Sequence, residues 1–289
     1  MVSPASKRRA VEHVKEKLSV SERRACRVIG QSRTSQRYES KTAKKDQELT
    51  KAMRKIIKQR PRYGCRRVYQ ELRAQGLEVN YKRVHRIWKK EGLQIKRRSK
   101  RKRKTGAGGK DLRATQVNEI WSYDFMFDET SDGKGLKWLN VIDEYSRESL
   151  VLTVGRRMRS KEVIEALKPV VRKRGAPKIL RSDNGPEFVS REVVEWVKEE
   201  GFKTEYIMPG APWQNGYIES FNARMRDELL NVEEFGSVEE AKVLGKAYQK
   251  DYNENRRHSS LGYQTPSEFA TNCFASLRAT PCATQSSSS

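Results

Sequence analysis

The sequence predicts a mixed α/β domain, a sheet with helices packed on it, preceded by an all-α basic region. Three observations lead there. Residues 1–110 carry 36 Lys and Arg against 9 Asp and Glu, so the formal net charge of +24 lies entirely in the first third and the remainder is close to neutral. Apolar residues recur at helical spacing before residue 95, then fall into short strand-like runs, then into alternating helical and strand stretches. Finally, three carboxylates stand where chain geometry can aim them at one point. Asp124 lies in an aromatic apolar run, Asp183 ends a strand before Asn184-Gly185-Pro186, and Glu219 follows in a helix after thirty-five intervening residues.

So one-sided a charge self-repels unless a polyanion neutralises it, and nucleic acid fits better than a membrane surface because no run of 18 apolar residues exists. Cys26, Cys65, Cys273 and Cys282 form no CxxC pair, and His13, His85 and His258 alone could join them, so no zinc site is expected. Lys7-Arg8-Arg9 leads into a charged stretch rather than a signal-peptide pattern, which predicts an intracellular protein with reduced thiols and no membrane partner.

In chain order, residues 1–40 read as a small helical region. A helix is expected over 5–18, a second over 22–29 capped by Ser21 and closed by Gly30, and a third over 32–38. Helix, glycine turn and a short helix with Arg33 and Arg37 is the outline of a helix-turn-helix, an outline shared by many small helical bundles.

Residues 41–95 form the stronger DNA-binding candidate. Leu49, Met53, Ile56 and Ile57 recur at helical spacing before Pro61, Val68 and Leu72 anchor the next helix, and Asn80 caps a third that ends at Gly92. That third helix buries Val84, Ile87 and Trp88 and leaves Lys82, Arg83, Arg86 and Lys89 on its remaining surface as candidates for the major groove. A solvated helix face has the same composition; the regional charge favours DNA. His85 has no partner at ligand spacing. Residues 96–112 read as a basic flexible linker in which Arg97, Arg98, Arg101 and Lys102 are candidate phosphate contacts, with a contact-free spacer equally compatible.

Residues 113–270 make the α/β domain. Strands are expected over 120–127, 136–143 and 149–154, the first two joined by a turn at 131–135 and all three antiparallel neighbours. A helix over 161–174 follows with Val163, Ile164, Leu167, Val170 and Val171 on its apolar side, then a strand over 178–182, a helix over 191–200, a strand over 203–208 and the helix bearing Glu219. Ile218, Phe221, Met225 and Leu229 make an apolar stripe on that helix, with Asn215, Glu219, Asn222 and Arg226 in a polar stripe beside it. Residues 209–212 read as a loop, where Trp213 could stack on a base or pack. The Ser- and Thr-rich segment 271–289 is expected to be a disordered tail.

Alone, Asp183 is a turn former and Glu219 a surface glutamate, whereas Asp124 inside an aromatic strand needs a partner. Together, three close carboxylates repel one another unless cations bind. Divalent ions with hard oxygen ligands can activate a hydroxyl and stabilise a leaving oxygen in phosphoryl transfer, so no histidine or lysine base is required. Asp128, Asp143, Glu187 and Asp227 are neighbouring acids with a weaker claim.

Trp121-Ser-Tyr-Asp124, Arg181-Ser-Asp183-Asn-Gly-Pro-Glu-Phe188 and Pro212-Trp-Gln-Asn-Gly-Tyr-Ile-Glu219-Ser-Phe-Asn222 closely resemble the catalytic core of bacterial insertion-sequence transposases of the retroviral-integrase-like DDE type. The nearest look is to second-frame (OrfB) proteins of the insertion-sequence-three family, and the stretch from Tyr252-Asn-Glu-Asn-Arg-Arg-His258 to Pro266-Ser-Glu-Phe269 resembles that family's carboxyl-terminal signature. The resemblance spans roughly residues 45 to 270. It implies a ribonuclease-H-like fold and a DNA transposase, a polynucleotidyl transferase that cleaves at element ends and transfers the strand. Asp124 would bridge two Mg²⁺ ions, with Mn²⁺ able to substitute; Asp183 would complete one site and Glu219 the other. It further implies double-stranded DNA partners (terminal inverted repeats and target), a homo-oligomer on DNA, an upstream-frame protein or fusion, and a place in the bacterial cytoplasm at the nucleoid.

Ser182 departs from the pattern, since family members often carry His there; altered local packing rather than loss of metal binding is expected. Two other readings remain open on the sequence: a DNA-binding regulatory subunit without independent catalysis, and a ribonuclease-H-like nuclease without strand joining.

Overall fold

The computed structural model describes residues 3–38, 42–94, 113–183, 185, 187, 190–208 and 212–279. The expected linker at 96–112, with Arg97, Arg98, Arg101 and Lys102, therefore lies outside the described residues. The chain divides into two compact units, residues 1–61 with 71–94, and residues 62–70 with 95–289.

In the first unit, Ser3 and Ser21 cap α1 (Pro4–Leu18) and α2 (Glu22–Ile29) with their hydroxyls, and Gly30 ends α2 at a φ of 66°. Val11, Ala25 and Cys26 are buried between these two helices, with Val14, Val20 and Ile29 packed around them. The short α3 (Arg33–Arg37) turns Arg37 back onto Glu22 at 2.8 Å. Next, α4 (Thr42–Gln59) buries Leu49, Met53 and Ile56; α5 (Cys65–Ala74), whose first six residues belong to the second unit, buries Val68 and Leu72; and α6 (Tyr81–Lys90) buries Val84, Ile87 and Trp88. The Asn80 side chain accepts from the Lys82 amide at 2.8 Å, as the sequence predicts for a cap.

The second unit is built on a five-stranded sheet in the order β3-β2-β1-β4-β5. Strands β1 (Ile120–Glu129), β2 (Gly135–Asp143) and β3 (Ser149–Gly155) are antiparallel, while β4 (Ile179–Ser182) runs parallel to β1 and β5 (Lys203–Tyr206) parallel to β4. Because side chains alternate along a strand, the sheet has two different faces. Trp121, Tyr123, Leu139, Val141 and Leu180 pack with α7 (Ser160–Arg174) and α8 (Arg191–Glu199) through Val163, Leu167, Val193 and Trp196. Met126, Trp138, Ile142 and Leu152 pack with α9 (Gly216–Met225), a π turn over Arg226–Leu230, and α10 (Val238–Glu254).

Gly245 sets how closely α10 lies on the sheet. A Cβ there would stand 2.7 Å from the Trp138 ring and 2.9 Å from Leu152. Gly245→Val is expected to destabilise the protein by about 1–3 kcal/mol through overpacking; an unchanged urea midpoint would contradict this close approach.

One expectation fails at the carboxyl end. Residues 271–279 are not a disordered tail but belong to α11 (Pro266–Ala279). Ala270 is buried, Phe269 packs on Tyr145 with centroids 5.6 Å apart, and Phe274 lies beneath the Arg174 guanidinium, so this segment has an apolar face with something to cover. Residues 280–289 lie outside the described residues.

Candidate active site

Asp124 sits mid-strand on β1, on the face that meets α9, directly across from Asn140 of β2. Its Oδ1 accepts from the Phe125 amide and its Oδ2 from Asn222 Nδ2, each at 2.8 Å. Asn222 is held in turn, its Oδ1 accepting from Asn140 Nδ2 at 2.8 Å. A cross-strand asparagine and one a turn beyond Glu219 thus fix the carboxylate's orientation.

Asp183 follows the last residue of β4, and its Oδ1 accepts from the Gly185 amide at 3.0 Å, an Asx turn of the kind its Asn-Gly sequence predicts. Glu219 lies in the first turn of α9, half-buried, and makes no hydrogen bond or ion pair among the described residues. All three share an electrostatic neighbourhood. Burial raises the Asp124 pKa to about 6, the charges of Asp183 and Glu219 push in the same direction, and the bonds from Phe125 and Asn222 oppose it. Among the described residues, however, no three carboxylate, histidine or cysteine side chains stand close enough to hold one metal ion.

Beneath the site lies a buried ion pair that sequence reasoning missed. Arg181 Nη1 donates to both carboxylate oxygens of Glu144, at 2.9 and 3.1 Å, and Ser122 donates to the same carboxylate. Ser122 and Arg181 are register partners across β1 and β4, so Glu144 ties together the two strands that carry Asp124 and Asp183. Burial still raises the Glu144 pKa against the pull of Arg181 and Ser122. Removing one partner leaves an uncompensated buried charge, so Glu144→Ala is expected to cost about 3–5 kcal/mol, measured by denaturant unfolding. A loss below about 1 kcal/mol, the range of exposed pairs, would show that water reaches the pair.

Asn140 and Arg181 could have been flagged as polar residues at inward positions of apolar strands. Nothing in the sequence names their partners. Of the neighbouring acids, Asp143 is structural, fully buried and accepting from the amides of Asn118, Tyr145 and Ser146 at 2.7, 3.0 and 2.8 Å. Glu187 pairs with Lys137. Ser182 is buried on the opposite sheet face, and its hydroxyl donates to the Asp183 carbonyl at 2.8 Å.

On α6, Lys82 and Lys89 are exposed, whereas Arg83 and Arg86 both close on Asp46 of α4, at 2.8 and 2.7 Å. Half of the candidate groove-facing cations are therefore occupied within the unit.

Models described as an integrase core domain match residues 114–212 and 200–266, and one described as an HTH-like domain matches residues 44–101. The chain is 38% identical over 263 residues to an uncharacterized 31.7 kDa protein of insertion element IS407 from Burkholderia multivorans, covering 89% of this chain and 93% of that one. It is 36% identical to a 39.2 kDa protein of insertion element IS476 from Xanthomonas euvesicatoria, covering 94% and 78%, and 29% identical to transposase InsF of insertion sequence IS3A from Escherichia coli, covering 74% and 78%. In fold it is similar to a chain of the simian T-cell lymphotropic virus intasome solved with PP2A regulatory subunit B56 gamma, with a TM-score of 0.50, 16% identity and coverage of 82% and 80%. Residues 114–266 thus form a ribonuclease-H-like integrase core, and the HTH-like match covers α5, α6 and all but the first two residues of α4. By its likeness to these relatives over nearly its whole length, the chain belongs to the insertion-sequence transposases, of the second-frame type in the insertion-sequence-three family.

Proposed function

We propose that Asp124, Asp183 and Glu219 are the catalytic carboxylates of this transposase and that together they hold two Mg²⁺ ions, for which Mn²⁺ can substitute. The observation that carries the reading is placement: Asp124 lies on the sheet face that meets α9, the helix bearing Glu219, and Asp183 follows the neighbouring strand β4. Burial and two neighbouring acids disfavour the ionised form of Asp124, an arrangement that a divalent cation would relieve. The donor set fits the ion: all three groups offer hard carboxylate oxygens, and Glu219 has no other partner among the described residues. When bound, two such cations supply Lewis acidity and charge neutralisation at the attacking and leaving oxygens of an in-line phosphoryl displacement.

This chain's residues do the positioning. Asp124 would contribute to both sites, Asp183 to one and Glu219 to the other. The Phe125 amide and Asn222 hold the Asp124 carboxylate at one angle, and Glu144 with Arg181 keeps β4 in register beneath Asp183. Substrates are double-stranded DNA, the terminal inverted repeats of the element and a target, with cleavage at an end followed by transfer of its 3′-hydroxyl. Residues 41–95 would read the ends through Lys82 and Lys89, with Arg83 and Arg86 exchanging Asp46 for phosphates, and residues 96–112 would follow the backbone. A homo-oligomer on DNA, an upstream-frame protein or fusion, and action in the bacterial cytoplasm complete the proposal; among the described residues no helix is long and apolar enough to cross a membrane.

Incubating the chain with element-end duplex, a target plasmid and Mg²⁺, with and without the upstream-frame protein, tests this. Joined products support it. Hydrolysis alone would point to a nuclease, and binding without any cleavage to a regulatory subunit.

A further inference from the structure

On the other side of α9 from Glu219, the second unit holds a half-open cavity of about 460 Å³. Tyr217, Ser220 and Arg224 line it, and at 100° per residue they point away from Glu219 and Asn222. Arg181 also lines it, two residues before Asp183 on the same face of β4, so the cavity begins about 7 Å along the backbone from a proposed catalytic acid. Arg67, Arg113, Arg147 and Arg256 complete its basic lining.

Charge pairing separates these arginines into two kinds. Arg181 is matched by Glu144 and Glu205, and Arg256 holds Glu228 through two bonds of 2.9 and 2.7 Å. Among the described residues Arg147 and Arg224 make no ion pair and the Ser220 hydroxyl makes no hydrogen bond. The positive charge is felt nearby: burial and the Arg256 guanidinium, followed by Arg67, Arg147 and Arg224, push the His258 pKa down to about 3.

Arg147 lies in the link between β2 and β3. Its φ is 62°, in the left-handed region that strains a residue with a Cβ and that asparagine or glycine occupies more readily. Its guanidinium stacks on the Tyr217 ring at 3.7 Å and one N–H reaches the Glu144 carbonyl. Stacking occupies the flat face and leaves other in-plane donors aimed outward, the arrangement that suits a phosphate.

We propose that this cavity is a phosphate subsite in which Arg147, Arg224 and Ser220 hold one backbone phosphodiester of the DNA strand cut beside Asp183. The proposal rests on the transposase chemistry assigned above and adds a contact on the far side of α9. A cavity that opens beside the strand carrying Asp183 suits a neighbouring phosphate of the same nucleic-acid strand better than a free anion.

Arg224→Gln, at an exposed position, and Arg147→Asn, which suits the left-handed backbone, test it in the full chain bound to element-end duplex. Each should lower the slope of log affinity against log salt by about one and abolish ethylation interference at one phosphate of the cut strand. Arg147→Asn should leave the melting temperature unchanged or raised, which a merely structural arginine would not do. Unaltered slope and interference in both variants would overturn the proposal. So would a result in which inorganic phosphate raises the melting temperature of the wild type but not of Arg224→Gln while DNA binding is unmoved, since the cavity would then take a free anion. If the wild type cuts no DNA yet both variants lose the phosphate contact, the catalytic assignment fails and the subsite stands.

Discussion

Glu219→Gln and Asp183→Asn should each reduce nicking and joining of element-end DNA by about three orders of magnitude or more, as loss of a residue acting within a catalytic unit does, while end binding stays intact. Neither side chain supports the fold. Among the described residues Glu219 has no partner, and the Asp183 carboxylate bonds just the nearby Gly185 amide. Both substitutions also remove a charge that opposes ionisation of Asp124, so the metal-free variants should be at least as stable as the parent. Strand-transfer assays beside thermal melts check the pair of outcomes. Inactivity with a large loss of stability would mean that these acids are structural, and retained activity would remove them from the mechanism.

The second large effect is on pH. With its pKa raised to about 6, Asp124 binds a proton in the folded protein at pH values where the unfolded chain has already lost it. Metal-free stability should therefore fall as pH rises from the ordinary aspartate range through about 6, and level off above. Metal affinity should run the opposite way, because the cation must displace that proton: below pH 6 the apparent Mn²⁺ affinity should drop about tenfold per unit. Carboxyl NMR titration of metal-free protein should place the Asp124 midpoint near 6, and Glu219→Gln should move it down. A midpoint in the normal aspartate range, with pH-independent Mn²⁺ binding from 5 to 7, would show that the three acids do not share a site.

Much of the fold was legible in residue order, and the reasons are local. Ser21, Gly30 and Asn80 end helices through bonds spanning a few residues. The antiparallel β1 to β3 follow from short apolar runs broken at Gly133 and at the turn after Asp143, and the apolar stripe of α9 is buried at Ile218, Phe221 and Met225 because spacing alone puts those residues on one side. Charge confined to the first third, and thirty-five residues between Asp183 and Glu219, are likewise properties of the chain itself. They carried the reading of a DNA-binding region joined to a carboxylate-bearing sheet domain.

The tertiary structure decided which side chains hold one another. That Asn140 steadies Asn222, and Asn222 steadies Asp124, depends on β1–β2 register and on the rotation of α9 about its axis. That Glu144 claims Arg181 and that Asp46 takes up Arg83 and Arg86 are pairings across tens of residues. Residues 271–279 became helix rather than tail because Phe269 and Phe274 found Tyr145 and Arg174. Capping and periodicity act within a turn or two and so leave a trace in sequence. A buried ion pair is chosen by desolvation at the point where distant segments meet, and until the chain has folded that point does not exist.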